Sequence, residues 1–126
     1  MANKTVITKN APAPIGPYSQ AVWSGNTLYL SGQIAINAES GELVIDSIQA
    51  ETHQVMLNIK AVLGEAGMDL SNVIKTSIFL QNMDDFAAVN EVYGSYFTSN
   101  FPARETVEVA RLPKNVNVEI SVIASK

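Results

Sequence analysis

Two charged side chains lie in strand-like segments near the end of the sequence. Arg104 begins the run RETVEVA, and Glu119 lies inside the alternating run NVEISVIA. Charged side chains are rarely buried unless they are paired or used. A guanidinium can hold a carboxylate through two parallel hydrogen bonds, and a half-buried glutamate can take up a proton or orient a water. The pair therefore indicates either a small pocket for an organic acid or a structural salt bridge between two strands.

The composition restricts the chemistry that the rest of the chain can add. The 126 residues carry a net charge of −4, no cysteine and a single histidine, His53. Nucleic-acid binding normally needs a basic surface, whereas Lys75, Arg104, Arg111 and Lys114 are dispersed along this chain. Without cysteine the chain has no thiol catalysis and no disulfide framework, and one histidine is too few for the usual zinc sites. No glycine-rich phosphate-binding motif occurs. What remains can bind an anionic acid and hold a water beside it.

The hydrophobic periodicity predicts the order β-β-α-β-α-β-β, preceded by a short strand at residues 5–8. The predicted elements are a hairpin of residues 21–23 and 27–31, a helix after Asp46, a strand at 73–80, a helix starting at Asp84 or Asp85, and strands at 105–109 and 117–124. A sheet with two helices on one face is an α+β layer, and the length predicts a single domain over residues 1–126. The uncovered face predicts an oligomer.

Capping signals and apolar stripes define the two predicted helices. Asp46, with Gln49 three residues later, predicts a capping box for the first helix, and Gly67 predicts its end. The core-facing stripes are Ile48, Val55, Ile59, Val62, Leu63 and Ala66 in the first helix, and Phe86, Val89, Tyr93, Tyr96 and Phe97 in the second. His53 lies on the flank of the first stripe and is interpreted as a surface residue. Asn90 lies beside the second stripe, where a solvated residue and a ligand contact are both possible.

The chain also resembles the RidA/YjgF family along essentially its whole length. The resemblance is carried by APAPIGPYSQA at residues 11–21, LYLSGQI at 28–34, and FPAR followed by VEVARLP and an alternating strand with an inner glutamate. It implies the chorismate-mutase-like fold, with a mixed sheet and two helices on one face. It further implies a homotrimer whose three sheets pack around a central barrel, with ligand pockets at the clefts between subunits.

The same resemblance implies a specific activity. Members of the family hydrolyse 2-iminobutanoate and 2-iminopropanoate, reactive enamine/imine products of pyridoxal-phosphate-dependent dehydratases, to 2-keto acids and ammonia without a cofactor or a metal. By the match of motifs, Arg104 corresponds to the arginine that holds the substrate carboxylate, and Glu119 to the glutamate that orients or activates the water. The other matched pocket residues are Tyr18, Ser31, Gly32, Asn90 and Thr106.

The sequence departs from the family pattern at one point in this site. Many members read ARSCVEVARLP, whereas this chain has Ala103, Arg104, Glu105 and Thr106 at the start of that stretch. Imine hydrolysis needs no thiolate, so we expect the activity to survive the missing cysteine. Strand alternation should direct Glu105 away from Arg104 and Thr106.

One geometric expectation links the site residues. If the two final strands pair as a hairpin, Arg104, Thr106 and Glu119 share one face of the sheet, with Glu119 close to Thr106. Two other functions stay open: a trimeric module that binds 2-keto acids and acts on a protein partner, and a ribonuclease or translation inhibitor, against which the acidic charge weighs. No apolar segment typical of a signal peptide or a membrane helix occurs, so a cytoplasmic protein without membrane or nucleic-acid partners is expected.

Overall fold

The computed structural model of the chain describes residues 3–126, in which two α-helices cover one face of a six-stranded sheet. The strands are β1 Thr5–Val6, β2 Ala21–Ser24, β3 Thr27–Leu30, β4 Val73–Leu80, β5 Ala103–Glu108 and β6 Val118–Ser125, and the helices are α1 Ile48–Glu65 and α2 Phe86–Gly94. The strand order is β1-β2-β3-β6-β4-β5, with β4 and β5 parallel and all other neighbours antiparallel. The predicted α+β class and element order are confirmed.

The core forms where alternate residues of the central strands meet the helices. In β6 the even-numbered residues from Val118 to Ala124 are buried, and the odd-numbered residues between them are only partly buried. The buried residues join one cluster with the predicted α1 stripe, which includes Val55, Ile59, Val62 and Leu63. This alternation leaves the odd-numbered β6 residues, Glu119 among them, on the face that the helices do not cover.

Helix α1 begins one residue later than the capping pattern predicts. Ser47 has an extended backbone, and its hydroxyl accepts a hydrogen bond from the Ala50 N–H at 3.0 Å. The predicted Asp46 capping box is therefore wrong, because Ile48 packs against the core as the first helical residue and so leaves Ser47 at the cap. The predicted end is confirmed: Ala66 closes the helix, and Gly67 follows with a φ of +74°.

Helix α2 is shorter than its apolar stripe. A 3-10 turn, Met83–Asp85, leads into the helix, whose last residue is Gly94. Val89 and Tyr93 are buried, as predicted, whereas Phe86, which the stripe placed in the core, is 37% exposed. Tyr96 and Phe97 lie beyond the helix but still pack against the core, so the predicted stripe runs across the helix end rather than within it.

The final two strands do not pair with each other, so the predicted hairpin is wrong. Strand β4 lies between β5 and β6, pairing in parallel with β5 through the α2 crossover and antiparallel with β6. In the observed register Thr106 is level with Ile78 and Ile120, whereas Val107 is level with Phe79 and Glu119. Thr106 and Glu119 are therefore on opposite faces of the sheet.

The face without helices carries both apolar and polar side chains. Tyr29 is 49% exposed and Val107 is 41% exposed on this face. At one end of it, loop residues form a second small apolar cluster of Ile34, Ile36, Leu112 and Val116 with Phe79 packed against it. The oligomer that would cover the remaining surface stays a prediction. Within residues 3–126, no helix combines the length and the apolar character needed to cross a membrane.

We expect Ser47→Ala to lower the free energy of unfolding by about 1 kcal/mol, because the Ala50 N–H loses its acceptor at the start of α1. Asp46→Ala is the matched control, since Asp46 lies outside the cap, and its effect should stay below about 0.5 kcal/mol. Urea unfolding of both variants at one protein concentration measures the difference. A larger loss in the Asp46 variant would contradict the assignment of Ser47 as the cap.

Candidate functional site

A cleft of about 320 Å³ opens on the face that the helices leave uncovered. We call it the Glu119 cleft; its lining residues are Pro12, Ala13, Ile15, Tyr18, Gln20, Ser31, Gly32, Gln33, Ile34, Ile36, Pro113 and Glu119. It thus brings together Tyr18, Ser31, Gly32 and Glu119, four of the residues that the family resemblance implied. The remaining walls are mostly proline and isoleucine, so the carboxylate lies in a largely apolar surrounding.

The backbone next to Glu119 is attached to the segment that follows β3. Gln33 N–H donates to the Ile120 carbonyl at 2.8 Å, and Ile120 N–H donates to the Gln33 carbonyl at 3.1 Å. This bridge brings Gly32 against the Glu119 side chain. A Cβ at Gly32 would lie 2.8 Å from the Glu119 Cδ and closer still to Oε2. Gly32 is therefore required by close packing against the carboxylate.

The proline-rich segment on the other side of the cleft is held by Gln20, which is 2% exposed. Its Oε1 accepts from the Thr8 N–H at 2.7 Å, and its Nε2 donates to the carbonyls of Thr8 at 3.1 Å and Pro12 at 2.9 Å. Sequence reasoning did not single out Gln20. The only signal for it was the proline-rich segment itself, whose backbone has few N–H donors and needs hydrogen bonds from elsewhere.

Ser31 and Tyr18 are both already hydrogen-bonded to the loop that precedes β2. The Ser31 hydroxyl donates to the Ser19 carbonyl at 2.6 Å, so its proton is committed and its oxygen remains free only as an acceptor. The Tyr18 hydroxyl accepts from the Ile15 N–H at 3.3 Å. Tyr18 and Ile15 are 47% and 57% exposed and form the rim of the cleft.

Partial burial in the cleft raises the pKa of the Glu119 carboxyl above that of an ordinary glutamate. Desolvation is the cause, because removal from water penalises the charged form. Tyr18 is the other titratable side chain among the described residues that line the cleft. A carboxylate in such a setting can accept a proton from a water or return one to a ligand.

The other implied residues form a separate arginine cluster on the helix side of the sheet. Arg104 Nη1 donates to the Asn90 Oδ1 at 2.6 Å, which identifies Asn90 as a partner of the arginine. The guanidinium carbon lies 5.3 Å from the centre of the Tyr93 ring and 5.7 Å from that of Phe86. Within residues 3–126 the buried Thr106 Oγ1 makes no hydrogen bond.

Tyr93 orients this cluster, although its sequence position predicted only a core role. Its hydroxyl donates to the Thr76 Oγ1 at 3.0 Å, which fixes the ring beside Arg104. Burial raises the pKa of the Tyr93 hydroxyl, so the side chain stays neutral at physiological pH. The guanidinium is thus held between two aromatic rings and an amide oxygen while its other N–H groups remain able to donate.

The predicted residues therefore fall into two groups, and a single copy of the chain does not bring Arg104 to Glu119. Arg104 and Thr106 are level with Thr76 and Ile78 and face the helices. Glu119 faces the other way, towards the cleft. The expectation that these side chains share one face is wrong, because β4 separates the two strands and the register turns their side chains to opposite sides.

Glu105 lies on the face opposite Arg104, as strand alternation predicted. Its carboxylate accepts a hydrogen bond from the Ser77 hydroxyl and forms an ion pair with Lys75 at 2.9 Å. The Ser77 hydrogen bond and the neighbouring Lys75 lower the pKa of Glu105. Glu105 therefore interacts with β4 on the uncovered face and not with the arginine cluster.

His53 matches its interpretation as a surface residue. It is exposed on α1, and its Nδ1 lies 2.8 Å from the Tyr96 hydroxyl. Across residues 3–126, no group of three or more histidine, cysteine, aspartate or glutamate side chains is arranged to hold a metal ion.

A family model described as Endoribonuclease L-PSP matches residues 8–126. The chain is 52% identical to a RutC family protein of Pyrococcus horikoshii over 123 residues, which covers 98% of both chains. The chain belongs to the RidA/YjgF family. It is also 52% identical to a 2-iminobutanoate/2-iminopropanoate deaminase of Dermatophagoides farinae, covering 98% of this chain and 97% of that one. The crystal structure of the YjgF gene product of Escherichia coli matches with a TM-score of 0.93 and 45% identity, covering 98% of both chains.

We expect Gly32→Ala to displace the Glu119 carboxylate and to lower the free energy of unfolding by about 1–3 kcal/mol, because the added methyl overlaps a side chain in a packed wall. Gly64→Ala in α1 is the matched control: nothing lies within 4 Å of the point that its added methyl would occupy. The control should gain up to about 1 kcal/mol from higher helix propensity. Denaturant unfolding and a crystal structure of each variant measure both effects, and an unmoved Glu119 in the Gly32 variant would contradict the packing argument.

Proposed function

We propose that this member of the RidA/YjgF family hydrolyses 2-iminobutanoate and 2-iminopropanoate to the corresponding 2-keto acids and ammonia. The observation that carries the proposal is Glu119, a half-buried carboxylate with a raised pKa in a largely apolar cleft. Such a group favours proton transfer over the permanent binding of an anion, because a second negative charge beside it is unfavourable. The similarity to a deaminase of that name at 52% identity supports the same activity.

The proposed reaction needs only positioning and proton transfer. Arg104 holds the substrate carboxylate through two N–H groups. Water bonds to the electrophilic carbon of the protonated imine, the C=N electron pair moves to nitrogen, and Glu119 accepts the water proton. Glu119 then protonates the amino group of the tetrahedral intermediate, and the C–N bond breaks to release ammonia. Glu119, ionised again, takes up the hydroxyl proton as the carbonyl forms and passes it to the released ammonia. General acid–base help of this kind contributes roughly 10²–10⁴-fold.

We also propose that the functional form is a homotrimer in which each site combines the Glu119 cleft of one copy with the arginine cluster of another. In a single copy, Arg104 and Glu119 project from opposite faces of one sheet and cannot reach the same small molecule. The Thr106 hydroxyl supports a ligand contact at the arginine cluster, since a buried hydroxyl without a partner in residues 3–126 is uncommon.

The description of the matching family model favours a second candidate, an endoribonuclease. The net charge of −4 and the dispersed lysines and arginines oppose it, because binding to a phosphate backbone is driven by clustered positive charge. A keto-acid-binding regulator would use the same Arg104, but it gives no reason for a carboxylate beside the ligand.

The activity is tested by coupling this protein to a threonine dehydratase and trapping the released imine with semicarbazide. We expect the protein to reduce the amount of trapped imine and to speed ammonia release. No change at high protein concentration would refute the deaminase, and binding of 2-oxobutanoate by such an inactive protein would favour the regulator. Cleavage of an RNA oligonucleotide by the same preparation would favour the endoribonuclease.

We expect Glu119→Gln to lower kcat by roughly 10²–10⁴-fold while the affinity for 2-oxobutanoate is retained or increased, because the base and its negative charge are both removed. Since Glu119 must be ionised to act and its pKa is raised, the wild-type rate should fall on acidification at a higher pH than an ordinary glutamate would cause.

Arg104→Lys should instead weaken binding, because a lysine cannot make the two-pronged contact. Trap-assay pH profiles and calorimetry separate the two effects; equal losses of rate and affinity in both variants would contradict the roles assigned.

Mixed assemblies test whether a site is shared between copies. Arg104→Lys and Glu119→Gln chains, co-expressed with different tags and purified as mixed oligomers, should regain activity that neither variant has alone. In every mixed cyclic trimer, about one third of the sites then hold both native residues. Activity no higher than that of the separate variants, in assemblies shown to contain both chains, would refute the shared site.

A further inference from the structure

The strand that carries Glu119 has an unusual edge. Strand β3 covers only the end of this edge, because it pairs with the β6 residues Ile123, Ala124 and Ser125. Further back along the same edge, Ile120 is paired by the single bridge to Gln33. Val118, two residues earlier, directs its N–H to that edge as well, because alternate residues of an antiparallel strand bond to the same side.

Glu51, in the first turn of α1, takes the place of the missing strand partner. Its Oε2 accepts from the N–H groups of Asn117 at 2.7 Å and Val118 at 3.1 Å, and its Oε1 accepts from the Asn117 Nδ2 at 2.8 Å. The Glu51 side chain is completely buried. Glu119 therefore lies between two fixed points, the Glu51 hydrogen bonds on one side and the Gln33 bridge on the other.

The complete burial of the Glu51 carboxyl group is compatible with this role. A buried carboxylate is costly unless several donors satisfy it, and Glu51 receives three N–H groups. It also lies in the first turn of α1, where the unpaired backbone N–H groups favour a negative charge. A glutamine could accept the two backbone N–H groups through its oxygen, but its NH₂ group would face the NH₂ group of Asn117 until the Asn117 amide turns over to accept through Oδ1.

We propose that Glu51 is a positioning residue for Glu119: by holding the backbone at Asn117 and Val118, it fixes the depth at which the Glu119 carboxylate lies in its cleft. The expected effect on kcat rests on the proposed function, whereas the expected effect on the position of the Glu119 carboxylate does not. If the start of β6 is loosened, the Glu119 carboxylate should move away from its position beside the reacting water. Solvent should then reach the carboxylate and reduce its desolvation.

The test compares full-length variants by two independent measurements. Carboxyl ¹³C NMR titration, with the Glu119 signal assigned by its loss in Glu119→Gln, reports the pKa of Glu119 without any substrate. The trap assay reports kcat, and calorimetry reports the affinity for 2-oxobutanoate. The variants are Glu51→Ala, Glu51→Gln, and Glu51→Gln combined with Asn117→Asp, which reverses the direction of the side-chain hydrogen bond and keeps the net charge.

The matched control is Thr52→Ala. Thr52 is completely buried on the same turn of α1, but its hydroxyl donates at 2.7 Å to the Ile48 carbonyl of its own helix, and Thr52 does not line the cleft. It should lose stability without changing the titration of Glu119. This control separates a general weakening of α1 from a specific effect on β6.

In Glu51→Ala we expect the pKa of Glu119 to fall towards that of an ordinary glutamate and kcat to drop roughly 10- to 100-fold, with little change in 2-oxobutanoate affinity, because only the placement of the base is altered. Glu51→Gln should show a smaller change in both, and adding Asn117→Asp should reverse much of it. If Glu51→Ala does not fold, the glutamine variant and its double variant decide the matter.

An unchanged Glu119 titration in folded Glu51 variants, with losses no different from those of Thr52→Ala, would overturn the proposal. A wild-type protein without imine hydrolysis would instead refute the proposed function. In that case the NMR titration still decides whether Glu51 holds the Glu119 carboxylate in place.

Discussion

The position of β4 between β5 and β6 is the constraint on which the rest of this structure depends. A parallel β4–β5 pair needs a crossover, which α2 provides, and this places Asn90 and Tyr93 over the start of β5. The chain then passes β4 and pairs antiparallel on its other side, so β6 presents Glu119 away from the helices. One topological choice thus both assembles the arginine cluster and separates it from the Glu119 cleft.

The cleft itself is built by buried polar side chains that bond to backbone rather than to one another. Gln20 holds the proline-rich wall through Thr8 and Pro12. Asn58 in α1 donates through Nδ2 to the carbonyls of Ile34 at 3.1 Å and Ile36 at 3.0 Å, which fixes the wall after β3. Glu51 holds the start of β6 in the same way. Irregular backbone can form a stable pocket only when its polar groups are satisfied, and side chains of the regular elements do this here.

The chemistry suggested by the site follows from the different exposure of its two charged side chains, Arg104 and Glu119, to water. Arg104 is exposed, with one N–H group engaged by Asn90 and the others able to bind a carboxylate. Glu119 is partly desolvated, so its proton affinity is increased at the place where a water could be activated. In the proposed shared site, self-association would be part of the mechanism rather than only a source of stability, because the two groups lie on opposite faces of the sheet.

The sequence by itself determined the class of fold, the order of the elements and most of their limits to within two residues, and it indicated Arg104 and Glu119 as the candidate residues for chemistry. Period-two alternation placed β6 and the core faces correctly, and it also predicted that Glu105 points away from Arg104. It could not show that β4 separates β5 from β6, because alternation defines which residues of one strand share a face but not which strand is its neighbour. For the same reason Gln20, Asn58 and Glu51 gave no clear signal: each acts on backbone that is distant in sequence, and only the tertiary structure decides which backbone groups lack a partner.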